Sequence, residues 1–465
     1  MNKVLIIGLD SVPPELLFDR LLDELPNIKK LYKTGAHAKF RTCDPPITVP
    51  AWMVMMTGKN PGQLGIYGFR HRRGYGYRDG YIVNSASVKE PTVWDVIGRQ
   101  GLKTCVVGLP PGYPPKPISG YSVSCMITPG LDKEYTYPPE LKKEIADVVG
   151  DYVFDVTFRV EDRDTIKKQL FEMTEKRFEL AKHLAATKDW NLFILHEIGF
   201  DRLHHAFWKY FDPEHPKYVA GNKYEGIAKE YYRFADKKIG ELVAAAGSDV
   251  DVFILSDHGS KAMKGAFCVN QWLEREGFLT LKSKPSGVLD IEKTDVDWEK
   301  TKAWGWGGYY ARIFLNVKGR EANGVVDPAD VQKTKALLKE RFMEIKDPSG
   351  RTMRNYVFEP EEVYGEAVGD KPDLMVYFDD LDWRSAGTLG HDSLYLSEND
   401  TGPDDSVHSV NGVFLYHPAG STHERDLGTL NTKDFARNLL ELLGVAPPPD
   451  IGGASMGLGD GRGGK

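Results

Sequence analysis

Lys3-Val4-Leu5-Ile6-Ile7-Gly8-Leu9-Asp10-Ser11 opens the chain with an apolar run that stops at Gly-x-Asp, and Pro13-Pro14 follows. Such a run, closed by a glycine and an acid, reads as a strand buried on both faces, as inside a parallel sheet. Asp10 then stands at the C-terminal edge of the strand, and the prolines begin a helix. Five further runs, at residues 104–109, 191–196, 251–256, 373–378 and 412–416, have the same character and are expected to be buried parallel strands. Amphipathic patterns at 164–186 and 222–246 predict long helices, and 432–444 a last one, opened by Asn431 or Thr432 and closed by Gly444. This alternation predicts an α/β fold: a central, mostly parallel sheet with helices on both faces.

Two regions depart from that plan. The Pro/Gly-rich span 108–138 is expected to be irregular and to wrap the surface near the site. Residues 260–365 hold short amphipathic pieces and Trp304-Gly305-Trp306-Gly307-Gly308, and are read as an inserted cap that shapes specificity. The catalytic core is then 1–259 with 366–450, and 451–465 a flexible, glycine-rich tail. The aromatics Trp304, Trp306, Tyr309 and Tyr310 suit either stacking on a base or packing a core, and core packing is the expectation.

The 465 residues carry a formal net charge of −7 with both signs well mixed, which gives no support to a nucleic-acid polymer or an anionic membrane as partner. Cys43, Cys105, Cys125 and Cys268 form no C-x-x-C pair and read as reduced thiols rather than a structural zinc knot. Val4–Ile7 is too short for a signal-peptide core, and no other apolar run approaches membrane-spanning length, so a cytoplasmic location is expected.

The chemistry-bearing residues fall at strand ends. Asp10 suits a cation ligand or a helix cap. In Pro45-Pro46-Ile47-Thr48-Val49-Pro50, Thr48 precedes a proline-initiated helix, so its hydroxyl lies near unpaired N–H groups and either caps the helix or serves as a nucleophile at an anion-binding start. Asp201 and His205 share one face of a helical turn and can grip one ion, whereas His204 points about 100° away. Asp257-His258-Gly259 ends the run 251–256, and burying both side chains without partners costs several kcal/mol, which favours metal binding there. His408 precedes the run 412–416 and takes its weight from this company; His391 competes for the same role.

These segments, in this order, resemble the alkaline phosphatase superfamily, and within it the type I phosphodiesterase/nucleotide pyrophosphatase branch. Thr57-Gly58-Lys59-Asn60-Pro61-Gly62, Asp201-Arg202-Leu203-His204-His205-Ala206-Phe207-Trp208, Asn270-Gln271-Trp272-Leu273 and Asn316-Val317-Lys318-Gly319 extend the likeness over nearly the whole chain. The resemblance implies that Thr48 is the nucleophile of a phosphoesterase working through a phosphothreonine. It implies two divalent cations, zinc as the expected ion and manganese compatible. Asp201, His205 and His408 would hold one, and Asp10, Asp257, His258 and the Thr48 oxygen the other.

The implied substrate is a small phosphorylated molecule, a diester or nucleotide. Sulfatases need Cys or Ser where Thr48 stands, and the cofactor-independent phosphoglycerate mutases use serine, so neither is expected. A silent binding protein would have lost a ligand or the nucleophile, and none is lost. One departure concerns substrate binding. An asparagine commonly follows the Gly-Ile-x-Gly segment in this branch, but Gly65-Ile66-Tyr67-Gly68 is followed by Phe69. Arg70 or His71 is the expected substitute donor, and an added charge there would suit a phosphomonoester. Phosphomonoesterase and phosphotransferase to an alcohol are therefore the alternatives.

Overall fold

The computed structural model describes residues 3–461. Nine strands form the central sheet: Lys3–Leu9 (β1), Ala36–Arg41 (β2), Thr104–Val107 (β3), Gly120–Val123 (β4), Thr136–Tyr137 (β5), Leu192–Glu197 (β6), Val250–Leu255 (β7), Asn411–His417 (β8) and Arg425–Asn431 (β9). Their order is β9-β2-β8-β7-β1-β6-β3-β4-β5. Strand β1 lies at the middle and runs parallel to both neighbours, with Leu9 beside Glu197 and Gly8 beside Leu255. Three strands therefore deliver their C-terminal ends to one place.

The alternation along β1 distributes its side chains to two cores. Leu5, Ile7 and Leu9 pack with the helices Arg163–Thr187 (α2), Gly199–Phe211 (α3) and Ile227–Ala246 (α4) through Phe178, Phe200 and Ile239. Val4 and Ile6 face the opposite way, against Trp52 and Met53 of Thr48–Thr57 (α1) and Leu439 of Phe435–Leu442 (α5). Burying each such side chain contributes about 1.5–3 kcal/mol, so the two layers fix the sheet from both sides. Among the described residues, no helix is long and apolar enough to cross a membrane.

Several expectations need correction. The run at 412–416 is a strand, but β8 is antiparallel to both β2 and β7. The cause lies just upstream, where Ser406–Ser409 pairs antiparallel with Gly259–Ala262. The chain therefore re-enters at the edge where β7 ends, and a strand entering from that edge runs opposite to its neighbour. The run at 373–378 gives Leu374–Tyr377, but this strand belongs to a separate antiparallel sheet with Ala303–Trp306, Ala311–Leu315 and Tyr356–Phe358. A short apolar run buried on both faces reads alike in either sheet.

The excursion from the core thus continues beyond residue 365 and returns at Ser406. Trp272, Trp304, Phe314, Phe342 and Phe378 give it a core of its own. The span 108–138 holds two short strands, β4 and the edge strand β5, rather than being wholly irregular. Of the tail expected to be flexible, Ile451, Met456 and Leu458 are buried against the layer of α1 and α5. Residues 462–465 lie outside the described residues.

Candidate active site

Each chemistry-bearing side chain is placed by the end of a strand or the start of a helix. Asp10 follows β1, and its backbone N–H donates to the Glu197 carbonyl at 3.1 Å. Ser11 adopts the left-handed region, at φ 67°, which turns its N–H onto Asp257 Oδ1 at 3.1 Å. Gly8 lets Trp52 lie against β1, because a Cβ there would stand 2.4 Å from the indole ring. The indole N–H then donates to Asp10 Oδ2 at 3.2 Å. Gly199 serves the start of α3 likewise: a Cβ would meet the Tyr231 hydroxyl at 2.0 Å. From that start α3 presents Asp201 and His205 one turn apart.

Two buried trios result, Asp201 with His205 and His408, and Asp10 with Asp257 and His258, the ligand-type atoms of each lying within 4.8 Å of one another. They adjoin one another: the His258 and His408 rings stack at 3.8 Å between centroids. The ladder of Gly259–Ala262 with Ser406–Ser409 sets Ser260 opposite His408, which brings those rings together. Thr48 opens α1, and its hydroxyl oxygen stands 3.3 Å from His258 Nε2. His391 lies outside both trios, facing the Thr388 hydroxyl at 2.7 Å.

The three carboxylates share one pattern. Oδ2 of Asp10 is held by Trp52 and lies 2.7 Å from His196 Nε2, Oδ1 of Asp257 accepts from Ser11, and Oδ2 of Asp201 accepts from Arg202 at 2.6 Å. The other oxygen of each (Asp10 Oδ1, Asp257 Oδ2 and Asp201 Oδ1) is buried without a well-formed hydrogen bond among the described residues and faces trio nitrogens, with His205 Nε2 3.2 Å from Asp201 Oδ1 and His258 Nε2 3.1 Å from Asp257 Oδ2. Leaving one such oxygen unpaired costs about 1–3 kcal/mol, and these three face the histidines of the trios. His408 Nδ1 donates to the Pro46 carbonyl at 2.7 Å, and His258 Nδ1 to that of Gly259 at 3.1 Å. Since a carbonyl only accepts, Nε2 of each neutral ring keeps its lone pair for the trio.

Electrostatics agree with this assignment. Burial pushes His258 down to about 3 and His408 down to about 4, so both rings are neutral near pH 7. Burial and the nearby Asp10 carboxylate drive Asp257 well above the usual carboxylate range. Burial opposes ionisation of Asp201, but His205, His408 and Arg202 outweigh it and hold that carboxyl well below its ordinary value. Burial likewise works against a charged His205, yet Asp404, Tyr309 and Asp201 raise it well above the usual imidazole value. Carboxylates crowded with imidazoles, two of them neutral and the third, His205, holding a proton that a cation would displace, fit one divalent cation per trio.

Sequence reading missed several participants. Asp404 Oδ1 lies 2.6 Å from His205 Nδ1 and orients that ring, and Arg384 donates to Asp404 Oδ2 at 2.9 Å. His196 supports Asp10 from within a segment already quoted. Tyr309 stacks on His408 with 3.5 Å between centroids, and its hydroxyl is 3.0 Å from His205 Nε2. The expectation of core packing holds for Trp304 but not for Tyr309, which reaches from the insert to the site instead.

Beside the trios a cleft of about 410 Å3 runs between Ile47, Phe69 and Arg70 on one side and Trp306, Tyr309 and Arg312 on the other. The expectation for His71 fails. Its ring is 1% exposed, accepts the backbone N–H of Tyr67 at 3.1 Å, and is pushed down to about 3 by burial, so it is no charged donor to substrate. Alternation explains this: in the hairpin Arg70–Arg72 with Gly80–Ile82, adjacent side chains face opposite ways, and Arg70 is the one that lines the cleft.

Residues 4–404 match the family model described as type I phosphodiesterase / nucleotide pyrophosphatase. No curated protein matches the chain. Among solved structures, an inactive threonine-to-alanine variant of murine ectonucleotide pyrophosphatase/phosphodiesterase 5, in complex with AMP, superposes with a TM-score of 0.58 at 14% identity. That match covers 97% of this chain and 96% of the murine one, which establishes the same fold. With the family model covering most of its length, the chain belongs to the type I phosphodiesterase/nucleotide pyrophosphatase family.

Proposed function

We propose that the protein is a two-cation phosphodiesterase that cleaves a small phosphorylated metabolite or nucleotide through Thr48. The observation that carries this reading is the row of three buried carboxylates, each with one oxygen held by a protein donor and the other bare toward the trios, beside the Thr48 hydroxyl. Asp201, His205 and His408 would hold one divalent cation, and Asp10, Asp257 and His258 the other, with zinc favoured by the mixed carboxylate and imidazole set and manganese compatible. Bound there, such cations neutralise the phosphoryl oxygens and acidify an adjacent hydroxyl.

Thr48 Oγ1 attacks phosphorus as its proton leaves to water in the cleft. The bond from phosphorus to the leaving oxygen breaks, and that oxygen takes up a proton on departure. Thr48 opens α1, so the positive end of the helix faces the charge that develops. Water then breaks the bond between phosphorus and Thr48, and the two inversions together retain configuration at phosphorus.

The test compares kcat/KM for a nitrophenyl phosphodiester and a nitrophenyl phosphomonoester, after chelation and after return of zinc or manganese. The expected result is cation-dependent turnover with the diester preferred and none for Thr48→Ala. Turnover that survives full chelation, or Thr48→Ala, overturns the reading. A second reading, phosphomonoesterase, draws support from Phe69 in place of the usual amide, and a clear monoester preference would establish it.

A further inference from the structure

Arg312 differs from every other arginine of the cleft. Arg70 pairs with Glu292 at 3.0 Å, Arg159 with Asp404 at 3.0 Å, Arg202 with Asp155 at 2.7 Å and Arg384 with Asp404 at 2.9 Å. Arg312 is only 7% exposed and lines the same cleft, yet no carboxylate among the described residues lies within ion-pairing distance of it. Its Nη1 donates to the Arg70 carbonyl, and its guanidinium lies 4.9 Å from the Trp306 ring centroid, with the Arg70 guanidinium 5.1 Å from the same centroid. The carboxylate whose charge reaches it, Asp370, is engaged by Arg72, and Glu292 of the same cleft is engaged by Arg70.

A cation buried without a counter-charge carries a desolvation cost of several kcal/mol. Burial, reinforced by Arg70 and Arg72, holds Arg312 below the usual guanidinium range. The packing that keeps it there is specific: Trp306 supports its face, and the Arg70 carbonyl fixes one edge of the fork. The remaining N–H groups are free for an oxyanion that presents two oxygens side by side, a carboxylate or a phosphate, which guanidinium geometry fits best. The groups that hold it, the Arg70 carbonyl and the Trp306 ring, include neither Thr48 nor any residue of the two trios, so Arg312 serves the cleft beside them and suits a charged group of the substrate other than the phosphoryl at Thr48.

We propose that Arg312, supported by Trp306 and the Arg70 carbonyl, forms an anion-recognition subsite for a phosphate or carboxylate that the substrate carries beyond its scissile phosphoryl. This rests on the phosphoesterase reading above and narrows it to substrates with a second oxyanion.

The experiment uses three nitrophenyl phosphodiesters: bis(4-nitrophenyl) phosphate, and two whose second arm ends in a carboxylate or in a phosphate. The quantity read is the ratio of kcat/KM for an anion-bearing diester to that for bis(4-nitrophenyl) phosphate. For Arg312→Gln this ratio is expected to fall about 10- to 100-fold, carried mainly by KM, the span of a hydrogen bond to a charged group. Arg312→Lys, which keeps the charge, is expected to retain part of the ratio, and melting temperatures of both variants check the fold. A larger fall with the phosphate arm identifies phosphate as the ligand, and with the carboxylate arm, carboxylate. A ratio unchanged in Arg312→Gln overturns the proposal, whether all three activities drop together or none does.

Calorimetric titration of the same compounds into the Thr48→Ala protein separates the subsite from hydrolysis. Tighter binding of an anion-bearing compound, lost on adding Arg312→Gln, in a protein whose wild type turns over nothing, keeps the subsite and removes the phosphoesterase reading. Turnover without any Arg312-dependent preference does the reverse.

Discussion

The trios and the cleft beside them are adjacent but built on different principles. Asp10, Asp201, Asp257 and His258 sit at or just past the C-terminal ends of β1, β6 and β7, where backbone pairing fixes their positions before any side-chain contact is made. Arg312 and Tyr309 come from the insert, whose sheet packs around its own core. The edge of a buried parallel sheet is a rigid platform on which chemistry can be held, and the inserted layer over it is where recognition can vary. The comparison teaches that the trios rest on strand ends of the central sheet, whereas the cleft beside them is completed by side chains of the insert.

Four substitutions can break or sharpen that separation. The largest effect belongs to Thr48→Ala, expected to lower turnover by about 10^3-fold or more while cation content, read by elemental analysis, stays near that of the wild type. Loss of the cations along with activity would mean that Thr48 builds the site instead of acting in it. Next, Asp404→Asn removes the carboxylate behind His205 and should cost about 10–100-fold in cation affinity or activity, measured by titration of the cation-free protein. An unchanged affinity would take Asp404 out of the site.

In the inserted layer, Trp304→Ala should destabilise by about 3–5 kcal/mol in chemical denaturation, since the ring is fully buried among Trp298, Trp306 and Phe314. If that layer only recognises substrate, the folded fraction keeps its cations. The smallest effect is expected for His391→Ala, within about 0.5 kcal/mol in stability and without change in cation content, as its partner Thr388, and the Asp400 carboxylate to which Thr388 donates, lie outside both trios. A loss of cation there would exchange the roles of His391 and His408.

Much of the site was legible in the chain because strands and their ends leave local marks. Val4–Ile7, Leu192–Leu195 and Val252–Leu255 are apolar on both faces, and Asp10, the Asp201/His205 turn and Asp257-His258 follow them closely. What failed did so for specific reasons. Residues 412–416 and 373–378 were recognisable as strands, but direction and sheet membership depend on where the chain re-enters, which composition does not encode. Ile451, Met456 and Leu458 are spaced among glycines, so their burial against α5 left no periodic pattern. His71 looked like a spare charge near the site, yet strand alternation turned it inward, where burial neutralises it. Tyr309 stood among the aromatics expected to pack a core, whereas it lines the cleft, and nothing around Arg312 marked it as part of the cleft.

The sequence by itself determined the buried strands, the helices between them and the residue types at the strand ends, because each depends on periodicity and chemistry within a few neighbouring positions. Only the tertiary structure decided that His408 reaches Asp201 and His205, that one oxygen of each carboxylate is held and the other bare, and that Arg312 stands uncompensated over Trp306. Those facts join residues one to several hundred positions apart. They follow from sheet order, register and the path of the insert, which arise from the packing of the whole chain and from no single stretch of it.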